Sequence, residues 1–167
     1  TFKTAMGGWV GCATNIMFKT ANGVATWSAV AGPGAEAAAT VLGISLIDEN
    51  RAWICYSTGN IYYTNDGGAT WTERLIDPYV GATVSRVNDI QFMDEYIGFA
   101  SVYYPTRIGA LIRTFDGGAT WEKYATTVFD NTAPLYGLRS LSVCNENKAY
   151  ACGGLQTALS SIIKFEA

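Results

Sequence analysis

Histidine is absent from this chain of 167 residues, so several kinds of site that depend on imidazole are excluded. These are the Ser-His-Asp triad, the His-ligated metal centre and the histidine pH switch. Basic clusters are lacking too, and the formal net charge is −3. A weakly acidic chain without a basic patch does not suit nucleic acid or an anionic membrane as its main partner.

Cysteines and long apolar runs are also few. Cys12, Cys55, Cys144 and Cys152 form no C-x-x-C pair and are unevenly spaced, so we expect small buried strand residues rather than disulfides or zinc ligands. The longest apolar run, 37–47, is too short to cross a bilayer, and no signal-peptide pattern opens the chain. No metal or other cofactor is predicted.

What the chain does contain is one repeated eight-residue segment, which we call the turn motif. It reads TNDGGATW at 64–71, TFDGGATW at 114–121 and, in a degenerate copy, TANGVATW at 20–27. Each copy follows a short β-type run. Asp-Gly or Asn-Gly between two such runs is a strong hairpin signal, because glycine accepts the positive φ of a tight turn. Repetition at this interval predicts a repeat architecture.

A second repeated pattern precedes each turn motif. A short alternating run ends in Asp or Asn, and an aromatic residue follows five positions later at Trp53, Phe99 and Tyr150. Trp9 takes the same place in the first unit, so the aromatic recurs at intervals of 44, 46 and 51 residues. Alternation followed by a turn residue indicates half-buried strands.

These repeats predict an all-β fold, a β-propeller of about four blades of four-stranded antiparallel sheets, with the first and last blades incomplete. A single domain would span 1–167, with blades at about 1–30, 41–76, 87–126 and 138–167. The joins between blades, among them 29–40, are expected to be loops, although 29–40 could hold a helical turn after its Gly-Pro-Gly. Three closures stay open: a small ring with one short blade, a ring completed by another subunit, or part of a longer propeller. Residues 1–5 could also serve as the outer strand of the fourth blade.

The turn motif resembles the Asp-box, or BNR repeat, of sialidase-type and related β-propellers. The resemblance implies that the Asp or Asn holds the turn and that the Trp packs in the core. We favour this structural role for the aspartates over calcium binding, because too few oxygen ligands surround them. The residues concerned are Thr64, Asp66, Gly68, Thr70, Trp71, Thr114, Asp116, Gly118, Thr120, Trp121, Asn22 and Trp27.

Resemblance to sialidases implies an arginine triad, a Tyr–Glu nucleophile pair and an acidic Asp. The chain has six arginines but no Arg-Ile-Pro signature near its start. The G-x-S-x-G pattern and phosphate-cradling loops are absent as well. We therefore expect no enzyme activity and no catalytic residue.

Over residues 40–165 the chain more closely resembles propellers of the photosystem II assembly-factor type. The segment 90–100, followed by the turn motif at 114–121, carries this likeness. Similar repeats occur in secreted bacterial proteins and in phage virion proteins. The likeness lies in the repeat and not in any binding residue, so the photosynthetic role is not transferred.

The predicted binding site lies on the loop face, which a propeller presents opposite its turn motifs. Tyrosine and arginine are enriched at binding hot spots, and aromatic faces also stack on sugars. Packing of the loops is the alternative role for the tyrosines. The candidates are Tyr79, Tyr103, Tyr104, Arg107 and Tyr136.

Together these features predict a non-catalytic structural or protein-binding module, a component of a virion or other assembled particle and exposed at its surface. The alternatives are a lectin-like propeller that binds carbohydrate and a fragment of a sialidase-like glycosidase. A protein partner or a second copy would bind along the open blade edge near Ile162 to Phe165, because unpaired strand edges are templates for pairing. A glycan is a possible ligand, whereas nucleic acid and membrane are not expected.

Overall fold

The computed structural model describes residues 1, 3–4, 6–74, 83–105, 109–126, 135–155 and 160–166. Within them, strands form four antiparallel sheets in chain order. The first sheet contains β1 (Gly8–Gly11), β2 (Ile16–Thr20) and β3 (Ser28–Ala31). The second contains β4 (Val41–Leu46), β5 (Ala52–Tyr56), β6 (Ile61–Thr64) and β7 (Thr72–Arg74). The third contains β8 (Arg86–Phe92), β9 (Gly98–Tyr103), β10 (Gly109–Thr114) and β11 (Glu122–Thr126). The fourth contains β12 (Leu135–Asn145), β13 (Lys148–Leu155) and β14 (Ser160–Glu166).

The predicted all-β architecture is confirmed, including the incomplete first and last units. The first and fourth sheets have three strands each within the described ranges, and the second and third have four. Strands follow one another in sheet order, as expected for units built of successive hairpins. None of the helices in the described part of the chain has the length and apolar character needed to span a bilayer.

The alternating runs of the second and third units end at Asp48 and Asp94 in the sequence, whereas β4 and β8 end two residues earlier, at Leu46 and Phe92. Asp48 explains this in the second unit, because its Oδ1 accepts backbone N–H bonds from Asn50 and Arg51 at 2.9 and 2.8 Å. Asp94 accepts equivalent bonds in the third unit, from Tyr96 and Ile97. The carboxylates thus belong to turns, which compete with the sheet ladder for the local backbone donors.

The hydrophobic core lies between the sheets, in three clusters that each join two neighbours. Trp9 and Met17 of the first sheet pack with Ile54 and Tyr62 of the second. Trp53 of the second sheet packs with the third, where it stacks on Phe92 at a ring-centroid distance of 3.9 Å. A third cluster joins the third and fourth sheets. Each sheet is therefore stabilised through its neighbours, since a single sheet has no enclosed core of its own.

Polar side chains on β8 bind the backbone of the fourth sheet directly. Asn88 Nδ2 donates to the Leu138 carbonyl at 2.8 Å, and Asp89 Oδ2 accepts from Leu141 N at 2.9 Å. Gln91 Oε1 accepts from Val143 N at 2.9 Å. These bonds satisfy backbone groups of β12 that no strand of the third sheet reaches, so they fix the position of the fourth sheet beside the third.

The N-terminal residue belongs to the first sheet. The Thr1 ammonium donates to the Trp9 carbonyl at 2.7 Å, and Trp9 N donates to the Thr1 carbonyl at 2.8 Å. This exchanged pair is typical of antiparallel strands. Residue 1 thus lies beside β1, and not at the outer edge of the fourth sheet.

The cysteines are all free within the structure, as expected, but their predicted burial is wrong for three of them. Only Cys55 is buried, where desolvation raises the pKa of its thiol well above the usual value. Cys12, Cys144 and Cys152 are exposed, and none of them belongs to the hydrophobic clusters between the sheets.

The connection between the first and second sheets carries a short 3-10 helix, Gly34–Glu36, where a loop was expected. The Glu36 side chain is buried and points back to the second sheet. Its carboxylate accepts bonds from Thr58 Oγ1 at 2.8 Å, from Asn60 Nδ2 and from the Tyr62 hydroxyl at 3.4 Å. These bonds anchor the connection to β6 and to the turn before it.

We expect Glu36→Ala to lower the free energy of unfolding by about 2 kcal/mol, because the buried Tyr62 hydroxyl and two part-buried donors lose a charged acceptor. Glu49→Ala is the matched control: Glu49 is exposed, and its loss should change stability by less than about 0.5 kcal/mol. Urea denaturation of both variants measures the difference. Equal losses would contradict an anchoring role for Glu36.

Candidate functional site

The turn motif at 64–71 is held by its own side chains. The Thr64 hydroxyl is buried; it accepts from Gly68 N at 2.9 Å and donates to Asp66 Oδ1 at 2.8 Å. Asp66 accepts two bonds from Thr70, from its N–H at 2.9 Å and from its hydroxyl at 2.5 Å. Both carboxylate oxygens thus bind donors of the motif itself, which is the arrangement of a turn-stabilising side chain.

The motif at 114–121 repeats this geometry within about 0.1 Å. The Thr114 hydroxyl accepts from Gly118 N at 2.9 Å, and Asp116 accepts from Thr120 N at 2.8 Å and from its hydroxyl at 2.6 Å. Gly118 has φ of +83°, in the left-handed region that glycine adopts readily. The two complete copies are therefore structurally equivalent.

The degenerate copy keeps the same bonds with different atoms. Asn22 Oδ1 accepts from Thr26 N at 2.9 Å, and its Nδ2 donates to the Thr26 hydroxyl at 2.8 Å. Val24 N lies 3.3 Å from the Thr20 hydroxyl and has φ of +74°, which is strained for a β-branched residue. An amide thus replaces the carboxylate. The bond from residue 24 N to the Thr20 hydroxyl is also longer than the 2.9 Å bonds that Gly68 N and Gly118 N make in the other copies.

These bonds control the charge of the two aspartates. The hydroxyl and the N–H of Thr70, with the Thr64 hydroxyl, lower the pKa of Asp66 to about 2. Partial desolvation would raise the pKa of Asp116, but its bonds from Thr120 and Thr114 outweigh that effect and lower it. Both side chains are therefore ionised at neutral pH.

Thr114→Val should lower the free energy of unfolding by about 1–3 kcal/mol. Valine keeps the shape of the side chain but leaves the buried Gly118 N–H without its acceptor. Thr120→Val makes the same chemical change at an exposed position and should cost less than about 1 kcal/mol. Chemical denaturation of both variants measures the difference, and equal, negligible losses would show that the hydroxyl is dispensable.

Acid should weaken the motifs in a predictable direction. A carboxylate with a depressed pKa in the folded state stabilises it above the ordinary pKa, and that contribution is lost as pH falls through the lowered value. Asp66→Asn/Asp116→Asn should therefore flatten the fall in unfolding free energy between about pH 5 and about pH 2. Denaturation at a series of pH values tests this. A double variant whose pH dependence matches that of the parent would contradict it.

The tryptophans at the ends of the two complete motifs pack against the preceding sheet. Trp71 Nε1 donates to the Ala31 carbonyl of the first sheet at 2.8 Å, and the ring meets Trp9 edge-on at 6.1 Å. Trp121 is buried with Trp53 in the cluster between the second and third sheets. Trp27, whose motif belongs to the first sheet, is exposed.

The predicted loop-face site is described only in part. Tyr103 is half-buried at the end of β9, and its carbonyl accepts from Ser85 N at 2.9 Å. Tyr104 is buried in the cluster between the second and third sheets, and desolvation raises the pKa of its hydroxyl. Tyr79, Arg107 and the side chain of Tyr136 lie outside the described residues. The loop-face site stays a prediction, in which Tyr104 serves the core.

A cleft of about 690 Å³ opens at the opposite end, where the turn motifs lie. It is formed by the first sheet, the first turn motif and the turn between β4 and β5. Volumes of roughly 300–1,000 Å³ are typical of ligand pockets. Its polar and aromatic lining residues include Lys3, Trp9, Lys19, Asn22, Thr26, Ser28, Asp48, Glu49 and Asn50.

The charges of this cleft are mixed and partly fixed. Lys19 Nζ donates to the Gly67 carbonyl at 2.8 Å and lies 5.7 Å from the Trp9 ring centroid. Asp48 pairs with Arg51 at 2.7 Å. Partial desolvation would raise the pKa of the Asp48 carboxyl, but its bonds from Arg51 and Asn50 outweigh that effect and lower it. Glu49 and Asn50 are exposed at the rim. Amide, hydroxyl and charged groups of both signs suit the donors and acceptors of a peptide backbone.

The sequence did not predict this cleft, because its residues come from three separate segments, and the repeat patterns do not indicate that these segments meet. One signal was available. Lys19 pairs with Trp9 across β1 and β2, as Tyr63 pairs with Trp53 across β5 and β6. Lys19 thus takes the repeat position of Tyr63. A lysine at that position makes one wall of the cleft cationic.

Comparison with known proteins identifies the type of fold. No family model matches the chain. It is 28% identical over 76 residues to the photosystem II assembly lipoprotein Ycf48 of Synechococcus sp. (strain CC9902), a match that covers 46% of this chain and 21% of that protein.

Solved structures agree over nearly the whole chain. A structure of Ycf48 bound to D1 peptide superposes with a TM-score of 0.70 at 19% identity, covering 97% of this chain and 47% of that one. The NanB sialidase of Streptococcus pneumoniae superposes with a TM-score of 0.54 at 17% identity, covering 89% of this chain and 25% of that enzyme. The prediction of a β-propeller fold resembling Ycf48 and sialidases is confirmed, and this chain spans about half the length of the Ycf48 structure.

Proposed function

We propose that this chain is part of a non-catalytic β-propeller that binds another protein through a peptide segment. The observation that supports it best is the likeness to Ycf48 with a bound D1 peptide, which extends over 97% of the chain at a TM-score of 0.70. The local sequence match to a Ycf48 assembly protein points in the same direction.

The acidic side chains that pack within the fold support a structural rather than a catalytic role. Glu36 binds the turn before β6, and Asp89 binds the backbone of the fourth sheet. Asp66 and Asp116 hold their own turns, and Asp48 pairs with Arg51. Each of these carboxylates is thus engaged in a bond that maintains the fold.

The cleft beside the first turn motif is the proposed peptide site. Its exposed rim includes Glu49 and Asn50, and its walls carry Lys19 and the hydroxyl of Thr26. Two of its charged side chains are already positioned, because Lys19 binds the Gly67 carbonyl and Asp48 pairs with Arg51. A preformed polar cleft loses little entropy when an extended peptide binds.

Selection from a random peptide library displayed on phage tests this proposal. Peptides that bind the parent chain should lose about tenfold in affinity for Glu49→Lys, since the reversed charge lies at the cleft rim. Glu73→Lys is the matched control, because Glu73 is also an exposed glutamate and lies on β7, outside the cleft. Isothermal titration measures both.

A selection that yields no binding peptide would contradict the proposed function. Peptides that bind both variants as tightly as the parent would instead exclude the cleft as their site. A glycan array run in parallel covers the lectin-like alternative, and a hydrolysis assay covers the glycosidase fragment. A component of a virion or other assembled particle, exposed at its surface, stays a prediction from the sequence, as does pairing along the edge at Ile162 to Phe165, which lies in β14.

A further inference from the structure

Two adjoining turns of the third sheet carry a group of exposed apolar side chains. Met93 and Tyr96 lie in the turn between β8 and β9, and Phe115 lies in the turn motif between β10 and β11. Their exposed fractions are 38%, 58% and 49%. Beyond residue 27, they are the only large hydrophobic residues that are exposed in the described part of the chain. We call these three residues the apolar patch.

A backbone bond joins the two turns that form the patch. Gly117 N donates to the Tyr96 carbonyl at 2.9 Å. The second sheet makes the equivalent bond, from Gly67 N to the Asn50 carbonyl, also at 2.9 Å. The arrangement of the turns is therefore common to both sheets, and only the side chains on it are particular to the third.

The other sheets are polar at two of the three patch positions. Tyr96 corresponds to Asn50 in the second sheet and to Asn147 in the fourth, and Phe115 corresponds to Asn65 in the second. The same turns thus form with asparagine, so the fold does not require a ring at either position. Isolated apolar residues on a surface are ordinary, but grouped ones usually mark an interaction site.

The Phe115 ring is already held in position. The Arg113 guanidinium lies 4.6 Å from its centroid and 4.6 Å from that of Tyr124. Arg113 also donates to Glu122 Oε1 at 2.9 and 2.6 Å and to the Glu146 carbonyl at 3.2 Å. A fixed cation thus supports the exposed ring from one side, and a ring that is ordered in advance loses little entropy on binding.

The two turns are also acidic. The segments 93–97 and 114–120 contain Asp94, Glu95 and Asp116 but no lysine or arginine. The Asp116 carboxylate binds N–H and hydroxyl donors of its own motif rather than a cation. A surface that combines exposed rings with carboxylates complements a partner that carries positive charge.

Asp94 lacks the cation that its counterpart in the second sheet has. Asp48 pairs with Arg51 of its own turn at 2.7 Å, whereas Ile97 takes the position of Arg51 in the third sheet. Arg51 also pairs with Glu95, so the charge of Glu95 is matched from the second sheet. None of the ion pairs between described residues includes Asp94. This exposed carboxylate can therefore pair with a cation from another molecule.

We propose that the apolar patch binds a basic segment of a partner protein, in which a lysine or arginine lies next to an apolar side chain. The cation lies over the Tyr96 ring and pairs with the Asp94 carboxylate, and the apolar side chain contacts Phe115 and Met93. Aromatic residues and methionine are enriched at protein interfaces, and a cation is attracted to the face of an aromatic ring. This proposal does not depend on peptide binding in the cleft of the first two sheets.

Fluorescence anisotropy with short labelled peptides tests the proposal. The probes are a peptide of alternating Arg and Leu and the same peptide with Glu in place of Arg. The Arg peptide should bind, and the Glu peptide should bind at least about tenfold more weakly, because its charge repels the acidic turns. An Arg peptide that does not bind, or equal binding of the two peptides, would overturn the proposal.

Tyr96→Asn/Phe115→Asn should lower the affinity for the Arg peptide by about tenfold, because both rings are lost. Each substitution introduces the residue that the second sheet has at the same position, so the turns should still form. Urea denaturation of the double variant checks this. A folded double variant that binds the Arg peptide as tightly as the parent would show that the patch is not its site.

Asp94→Asn should lower the affinity for the Arg peptide by about threefold, because one exposed ion pair is lost. Asparagine supports this turn in the fourth sheet, where Asn145 Oδ1 accepts from Asn147 N at 2.9 Å. Glu73→Gln is the matched control: it also removes one exposed carboxylate, on β7 and outside both turns, and should change the affinity by less than about twofold. Equal losses for the two variants would contradict a specific role for Asp94.

Photocrosslinking locates the peptide independently of its affinity. Benzoylphenylalanine at position 115 should capture the Arg peptide, whereas at position 65, the equivalent site of the second sheet, it should not. Capture from position 65 alone would overturn the proposal. An affinity that falls only with Glu49→Lys would place the peptide in the cleft, which would overturn this proposal and support the proposed function.

Discussion

Packing between successive sheets is the interaction on which this structure depends. Each of the three hydrophobic clusters draws its residues from two sheets, and no sheet encloses a core alone. The Trp53 ring illustrates this, because it stacks on Phe92 of the next sheet while its Nε1 donates to the Gly117 carbonyl of the next turn motif at 2.9 Å. Stability in such a row is close to a sum of the stabilities of the single sheets and of the contacts between neighbours. Loss of one contact, such as that of Trp53 with Phe92, therefore weakens both sheets that share it.

The turn motif links local and long-range structure. Thr64 and Asp66 fix the turn, and the turn then presents Gly67, whose carbonyl accepts from Lys19 of the preceding sheet. The carboxylates are exposed, but the threonine hydroxyls beneath them are buried. The visible signature of the motif is its Asp, whereas the larger energetic contribution is expected from the Thr, because an unpaired buried donor costs more than an exposed one.

Much of the fold could be predicted from the sequence because each unit repeats its own signals. The Asp-Gly turns and the aromatic at Trp9, Trp53 and Phe99 fix the number and order of the sheets. Strand ends were less predictable, since Asp48 takes backbone donors away from the sheet. The cleft could not be predicted, because its walls meet only after the first two sheets have packed, and no motif joins Lys19 to Glu49 in the sequence.

Packing against the preceding sheet also explains which residue the second glycine position of the turn motif accepts. A Cβ on Gly68 would lie 2.4 Å from Val30 and 2.9 Å from Trp9, so the preceding sheet as well as the positive φ requires glycine there. At Val24 the positive φ persists, and the side chain is exposed. Val24 N lies 3.3 Å from the Thr20 hydroxyl, whereas Gly68 N lies 2.9 Å from that of Thr64. Valine thus occupies the glycine position of this motif at the cost of backbone strain and a longer bond, because a β-branched residue adopts a positive φ unfavourably.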